Sequence, residues 1–278
     1  MRPADGGSKR RFEMAPLPGA DDPEPGEIVI DGRRIEAAWW RRRSGAPTVA
    51  LLHEGLGSVG LWRGFPAALA DAAGCSVFAW SRWGYGRSAG VALPRPLTYM
   101  HDEAALLPRV LEAAGVGPCV LLGHSDGASI AAIHAGSAPD PRVRGLALIA
   151  PHFFVEEVAV ASIAAIRAEY ERGDLRARLA RHHDDVDAAF LGWNGAWLDP
   201  AFRRWDITAE LARIALPLLV VQGTEDAYGT PAQPDAAKRL ARGSVTVEII
   251  PGSGHAPHLE RADATLPILA AFVRAVLA

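Results

Sequence analysis

Val120-Leu121-Leu122-Gly123-His124-Ser125-Asp126-Gly127-Ala128-Ser129 is the stretch from which the rest of the chain is read. An apolar run enters two glycines that bracket a serine and leaves as helix-prone sequence. The pattern Gly-x-Ser-x-Gly is weak alone, because small residues are common. Here it follows a buried-strand run directly and opens a helix, which makes it specific. A strand turning that sharply into a helix holds its serine strained above the sheet. Glycine is needed on both sides, where a Cβ would strike a neighbouring strand or helix. At a helix N-terminus, backbone N–H groups also face any developing anion. The competing reading is a turn whose serine merely caps the helix.

Working outward, Glu27–Asp31 and Arg34–Trp40 are short β-prone runs joined through Asp31-Gly32, a hairpin signal. Apolar runs at Thr48–His53, Cys75–Trp80, Cys119–Leu122, Val143–Ala150, Leu216–Gln222 and Val245–Ile250 alternate with helical texture. That texture lies at Leu61–Ala73, Tyr99–Ala114, Ser129–Ala135, Pro231–Leu240 and Leu266–Val276. Runs apolar on both faces, separated by helices, predict an α/β fold: a mostly parallel sheet with helices on both faces and an antiparallel N-terminal edge. Residues 152–213 break the rhythm with helix-like, charged, Trp-rich sequence and no strand, so they are expected to form an inserted helical cap. The core is then 27–151 plus 214–278. Residues 1–26, with five prolines, four glycines and no periodicity, read as a flexible tail. No internal repeat is present.

The chain has 278 residues, long for one simple domain and short for two. A 49% hydrophobic and 22% charged composition supplies a core and excludes disorder throughout. Net charge is −3, from 29 basic and 32 acidic residues, which gives no footing for nucleic acid or a membrane surface. Lys9 and Lys238 are the only lysines, and the arginine and alanine excess reads as coding bias. Cys75 and Cys119 open buried runs and read as inert thiols. The apolar candidate Leu146–Ile166 is broken by Pro151, His152, Glu156 and Glu157, so no transmembrane helix is expected. The basic N-terminus has no apolar stretch after it and is no signal peptide, so a cytoplasmic location is expected.

A serine hydroxyl needs a base to become a nucleophile. On this architecture the order along the chain is Ser, acid, His. Gln222-Gly223-Thr224-Glu225-Asp226 follows one strand and Gly252-Ser253-Gly254-His255 the next. Residues just beyond the C-termini of parallel strands converge above one sheet edge, where open α/β folds bind ligands. Asp226 is favoured over its neighbour Glu225. His255 is favoured over His258 because Gly254 would let its loop approach the serine, and His258 is taken as a surface residue.

With His53-Glu54-Gly55-Leu56-Gly57 and Ser81-Arg82-Trp83-Gly84-Tyr85-Gly86-Arg87-Ser88, these motifs make the chain resemble the α/β-hydrolase superfamily over about residues 27–278. The resemblance implies Ser125 as nucleophile, Asp226 as acid, His255 as base, and no cofactor. One oxyanion donor should be the backbone N–H of Asp126. The other should come from Gly55, with Glu54 and Leu56 as alternatives. The family usually has His-Gly where this chain has His53-Glu54, so an acidic residue stands in for glycine. Glu54 and Asp126 thus flank an oxyanion site, where an anion opposes catalysis. They are expected to share a proton, or to pair with Arg82 or Arg87, against the alternative that both face solvent.

Candidate pocket residues are Glu54, Arg82, His124, Phe153, Trp193 and Trp197. An aromatic cap suits an apolar or aromatic substrate, although half or more of its rings are expected simply to pack it. His182-His183-Asp184-Asp185 is not read as a metal site, since adjacent histidines point to different helix faces. The expected activity is hydrolysis of a carboxylic ester or similar acyl bond of a small molecule through an acyl-enzyme, with activity rising as the base deprotonates. The rivals are C–C bond hydrolysis or enol-lactone opening with the same triad, acyl transfer to an alcohol, and a non-catalytic ligand-binding member of the fold. Relatives that remove halogens or open epoxides carry aspartate where this chain has Ser125. No nucleic-acid or membrane partner is expected, and a homodimer is left open.

Overall fold

The computed structural model describes residues 23–42 and 46–278. The expected tail lies outside these residues over 1–22. Its last part does not belong to a tail, because β1 (Glu24–Ile30) begins inside it. β1 pairs with β2 (Arg33–Trp40) from Glu24 opposite Trp39 onward. Its first residues are exposed and include Pro25, which an edge strand tolerates, so no alternation marks the start. Asp31 and Gly32 both take positive φ, 53° and 70°, as a two-residue hairpin turn of matching twist requires.

β2 runs antiparallel to β4 (Ser76–Trp80). From there β3 (Thr48–Leu52), β5 (Cys119–His124), β6 (Val143–Ile149), β7 (Leu218–Gly223) and β8 (Val245–Ile250) are all parallel. The order across the sheet is β1-β2-β4-β3-β5-β6-β7-β8. Every residue of β3, β4, β5 and β7 is buried, which is why these strands read as unbroken apolar runs.

Helices α1 (Phe65–Ala73) and α10 (Ala262–Leu277) pack one face of the sheet. Helices α2 (Tyr99–Ala113), α3 (Asp126–Ser137) and α8 (Ala232–Leu240) pack the other. The helix expected from Leu61 is instead a 3-10 turn, Val59–Trp62, then a break at Arg63 (φ 53°) before α1. Pro66, whose ring presets φ, sits in the first turn of α1 and favours the restart there. Between β6 and β7 the chain forms α4 (Glu157–Arg172), α5 (Leu175–Leu179), α6 (Val186–Leu198) and α7 (Thr208–Leu211), with a short α9 (Pro257–Glu260) following β8. One isolated bridge, Phe154 to Asp206, is the sole β pairing in that insertion. Its rings largely pack on one another: Tyr170 stacks on Phe190 at 3.7 Å, and Phe202 on Trp205 at 5.5 Å.

Both cysteines are free and buried, and burial pushes each thiol up to about 12, which keeps them inert. Among the described residues, no helix is long and apolar enough to cross a membrane.

Candidate active site

β5 ends in a turn so tight that Ser125 takes φ 52° and ψ −120°. A side-chain-bearing residue there costs about 1–3 kcal/mol, which the surrounding packing must hold. A Cβ on Gly123 would run into the backbone of Gly127 and Ala128, and one on Gly127 into the carbonyls of Leu52 and His53. The glycines are therefore required by space, as the sequence pattern predicted. The Ser125 side chain makes no capping hydrogen bond to α3, which disposes of the capping alternative. Its N–H donates to the Ile149 carbonyl at 2.9 Å, fixing the turn to β6.

Asp226 leaves the C-terminal end of β7 and His255 that of β8, so parallel strands bring both to the edge where Ser125 stands. The Nδ1 atom of His255 lies 2.9 Å from both oxygens of Asp226. The carboxylate also accepts from Gln222 Nε2 (2.6 Å) and the Tyr228 N–H (2.8 Å). Its side chain is only 1% exposed, so burial pulls its pKa upward. The hydrogen bond and charge of His255 and the Tyr228 N–H outweigh that and hold the carboxyl below its ordinary value. The tie leaves Nε2 as the free face of His255. Glu260 fixes the loop from beneath, accepting from the N–H groups of Gly254 (2.5 Å) and Ala256 (3.1 Å). Gly254 thus serves Glu260; the close approach of this loop to β7 is made at Gly223, where a Cβ would meet the carbonyls of Ser253 and Gly254.

The loop after β3 carries the other predicted donor. Three groups converge on the Glu54 carbonyl: His53 Nδ1 (2.7 Å), Arg82 Nη2 (3.1 Å) and the Gly57 N–H (3.1 Å). The peptide is planar, so this clamp turns the Gly55 N–H to the opposite side. Arg82 also donates to the His53 carbonyl, and its own N–H donates to His53 Nε2 at 3.0 Å. Burial, with Arg82 adding to it, holds the His53 imidazole neutral.

The expected pairing of the two acidic side chains does not occur. Asp126 is buried and accepts from Tyr99 Oη at 2.6 Å and Trp197 Nε1 at 3.2 Å. Burial raises its carboxyl above the usual range despite these donors and the nearby arginines. Glu54 instead faces His124, with 3.7 Å between Oε2 and Nδ1. Burial works against its charge, yet His124 holds the carboxyl below its ordinary value. Arg87 turns away to Glu36. The partners come from α2, α6 and β5, and no local pattern announces them.

Other candidates sort differently as well. Arg82 spends its guanidinium on backbone carbonyls, so it braces the loop. Phe153 is wholly buried, with its N–H on Gln233 Oε1 at 2.7 Å, and belongs to the core. Trp193 lies against Gly55, where a Cβ would overlap the indole. Trp197 reaches Asp126 as described. His258, expected at the surface, is buried against Trp62, Phe65 and His124, with ring centroids 5.3, 5.0 and 4.7 Å away.

Three residues join the site that the sequence reading does not place there; one of them, His183, it weighs only as part of a metal cluster. His152, just past the end of β6, lies 5.8 Å from the His255 ring and is held neutral by burial, its pKa pulled down to about 3. The rule that found Asp226 and His255 also reaches this position. Tyr228 packs its ring 4.6 Å from His255. His183 accepts from the Gly86 N–H (2.9 Å) at Nδ1 and so donates from Nε2 to the Leu56 carbonyl (3.0 Å), joining the insertion to two core loops. Nothing in the local sequence marks it. Among the described residues, no group of three or more His, Cys, Asp or Glu side chains could hold a metal ion. A cavity of about 770 Å³ opens at the opposite edge, lined by Trp39, Thr48, Ser76 and Pro118 among others, and holds none of these groups.

Comparison with known proteins agrees with this architecture. The alpha/beta hydrolase family profile matches residues 49–268, and the chain belongs to that family. It is 30% identical over 243 residues to RutD of Variovorax paradoxus, a candidate carbamate hydrolase, covering 74% of this chain and 84% of the relative. Among solved structures, the proline iminopeptidase of Mycobacterium smegmatis superimposes with a TM-score of 0.72 at 19% identity, over 90% of this chain and 98% of that one. The enol-lactonase of Burkholderia xenovorans LB400 gives 0.68 at 19% identity, over 89% and 99%. These two likenesses are of fold. Family and relatives together support an enzyme with hydrolase activity.

Proposed function

We propose that the protein is a serine hydrolase that cleaves a carboxylic ester or related acyl bond of a small, largely apolar substrate through an acyl-enzyme. The observation that carries the reading is the strained Ser125 at one sheet edge with the half-buried His255 held by the buried Asp226 carboxylate, which commits Nδ1 of the imidazole and leaves Nε2 to act. In this reading Ser125 Oγ attacks the carbonyl carbon while His255 Nε2 takes its proton. The oxyanion is met by the N–H groups of Gly55 and Asp126, each worth about 3 kcal/mol in the transition state. Collapse expels the alcohol with the proton from His255. Water, deprotonated by the same nitrogen, then releases the acid. The helical insertion acts as a cap, with Trp193 and Trp197 closing the site above the two donors. Because the chain is similar to RutD, carbamates are included among the acyl bonds to be tried.

The test is a panel of p-nitrophenyl esters, carbamates, enol-lactones and meta-cleavage dienoates, run on the protein and on Ser125→Ala. Turnover of an ester or carbamate that Ser125→Ala abolishes, with the fold intact, is expected. Turnover of dienoates alone, or ester hydrolysis retained by Ser125→Ala, would overturn the reading.

A further inference from the structure

Glu54 is the residue by which this chain departs from the His-Gly pattern, and the proposed reaction gives its side chain no task. Its carboxylate is nonetheless placed with care. The Glu54 backbone is clamped by His53, Arg82 and Gly57, so the side chain leaves the loop in a fixed direction. A Cβ on Gly57 would overlap the carboxylate, so the glycine opens the space it occupies. There Oε2 stands 3.7 Å from Nδ1 of the buried His124. The other ring nitrogen of His124, Nε2, donates to the backbone carbonyl of His255 at 2.8 Å. The His124 ring is wedged between those of His255 and His258, with centroids 5.1 and 4.7 Å away.

The order of these contacts matters. Glu54 precedes Gly55, the proposed oxyanion donor, and His124 precedes Ser125, the proposed nucleophile. His255, the proposed base, receives the end of the chain. One line therefore crosses the three loops that carry the three working groups: the Glu54 carboxylate faces His124 Nδ1, an ion pair when that ring is protonated, and Nε2 donates to the His255 carbonyl. We propose that Glu54 is a positioning residue that, through His124, holds the oxyanion loop, the nucleophile turn and the base loop in register; the inference rests on the serine-hydrolase reading above. Because the Glu54 side chain faces His124 and not the reacting atoms, its replacement should slow the chemical step and leave substrate binding alone. Errors of about 1 Å in such a constellation cost up to about 100-fold in rate.

The experiment uses the full chain and a p-nitrophenyl ester. Glu54→Gln keeps shape and removes charge; it is expected to lower kcat about tenfold or more while KM stays within about twofold. Glu54→Asp, which keeps the charge, should recover most of the loss. His124→Gln, which keeps a donor near the His255 carbonyl, should be slowed similarly, and adding Glu54→Gln to it should cost little more, because coupled residues are not additive. Amide exchange over residues 252–256 should quicken in Glu54→Gln. A KM rise at constant kcat would make Glu54 a substrate contact and overturn the proposal. So would full additivity with His124→Gln, wild-type kinetics, or unchanged exchange. Failure of the hydrolase reading shows separately, as absence of fluorophosphonate labelling of Ser125 in the unsubstituted protein, and the exchange measurement decides the tie in either case.

Discussion

Asp226 carries most of the electrostatic work at the proposed site, because it is the buried anion that fixes which nitrogen of His255 holds the proton. Replacing it by Asn would leave the packing but invert that hydrogen bond. We expect Asp226→Asn to lower kcat by ~10⁴-fold with the fold retained; a loss under tenfold, measured by steady-state kinetics, would show that the pair does not orient the base. The meeting of Asp226 and His255 at the edge where Ser125 stands was legible because each lies just past the C-terminal end of a parallel strand, and the sheet turns that one-dimensional fact into proximity. His258 was misread for the same reason: a loop position after Gly-x-Gly-His suggests solvent. Its burial is made by Trp62 and Phe65, almost 200 residues away in sequence. The partners of Glu54 and Asp126 were hidden likewise, since side-chain direction in a tight turn is set by neighbours that no local pattern names.

The elements divide in the same way. The wholly buried strands β3, β5 and β7 announce themselves as apolar runs, whereas β1, exposed and at the edge, begins inside what reads as a tail. The helical insertion was legible as a missing strand, but its docking was not. Two of the contacts that dock it matter most for the site: His183 to Gly86 and Leu56, and Trp197 to Asp126. Both land beside the proposed oxyanion donors. Trp197→Phe keeps an aromatic ring but a smaller one, and leaves one oxygen of a buried carboxylate without its donor. It should destabilise the protein by about 1–3 kcal/mol in urea titration, and an unchanged midpoint would mean that the indole N–H contributes nothing to holding the insertion.

Among the described residues, five histidines are buried with their pKa lowered chiefly by burial: His53, His134, His152, His183 and His258. Above about pH 6.5 the folded and unfolded chains bind the same protons at these sites. Below it the unfolded chain takes protons that the folded chain refuses, so stability falls as pH falls, by up to ~1.4 kcal/mol per pH unit for each histidine. For His152 the loss continues down to about pH 3. The urea midpoint should therefore drop steeply between pH 7 and pH 5; a flat midpoint over that range would contradict the burial of neutral imidazoles. All but His134, in the last turn of α3, lie near the sheet edge where Ser125 stands or in the loops around it, so one region carries most of the acid sensitivity and the proposed chemistry. That chemistry is tested most directly by treating the protein with a fluorophosphonate and mapping the adduct by mass spectrometry. The expected result is a single modification on Ser125, accompanied by loss of hydrolysis and absent from Ser125→Ala. Hydrolysis that persists in a protein unmodified at Ser125, or an adduct confined to another residue, would contradict the account.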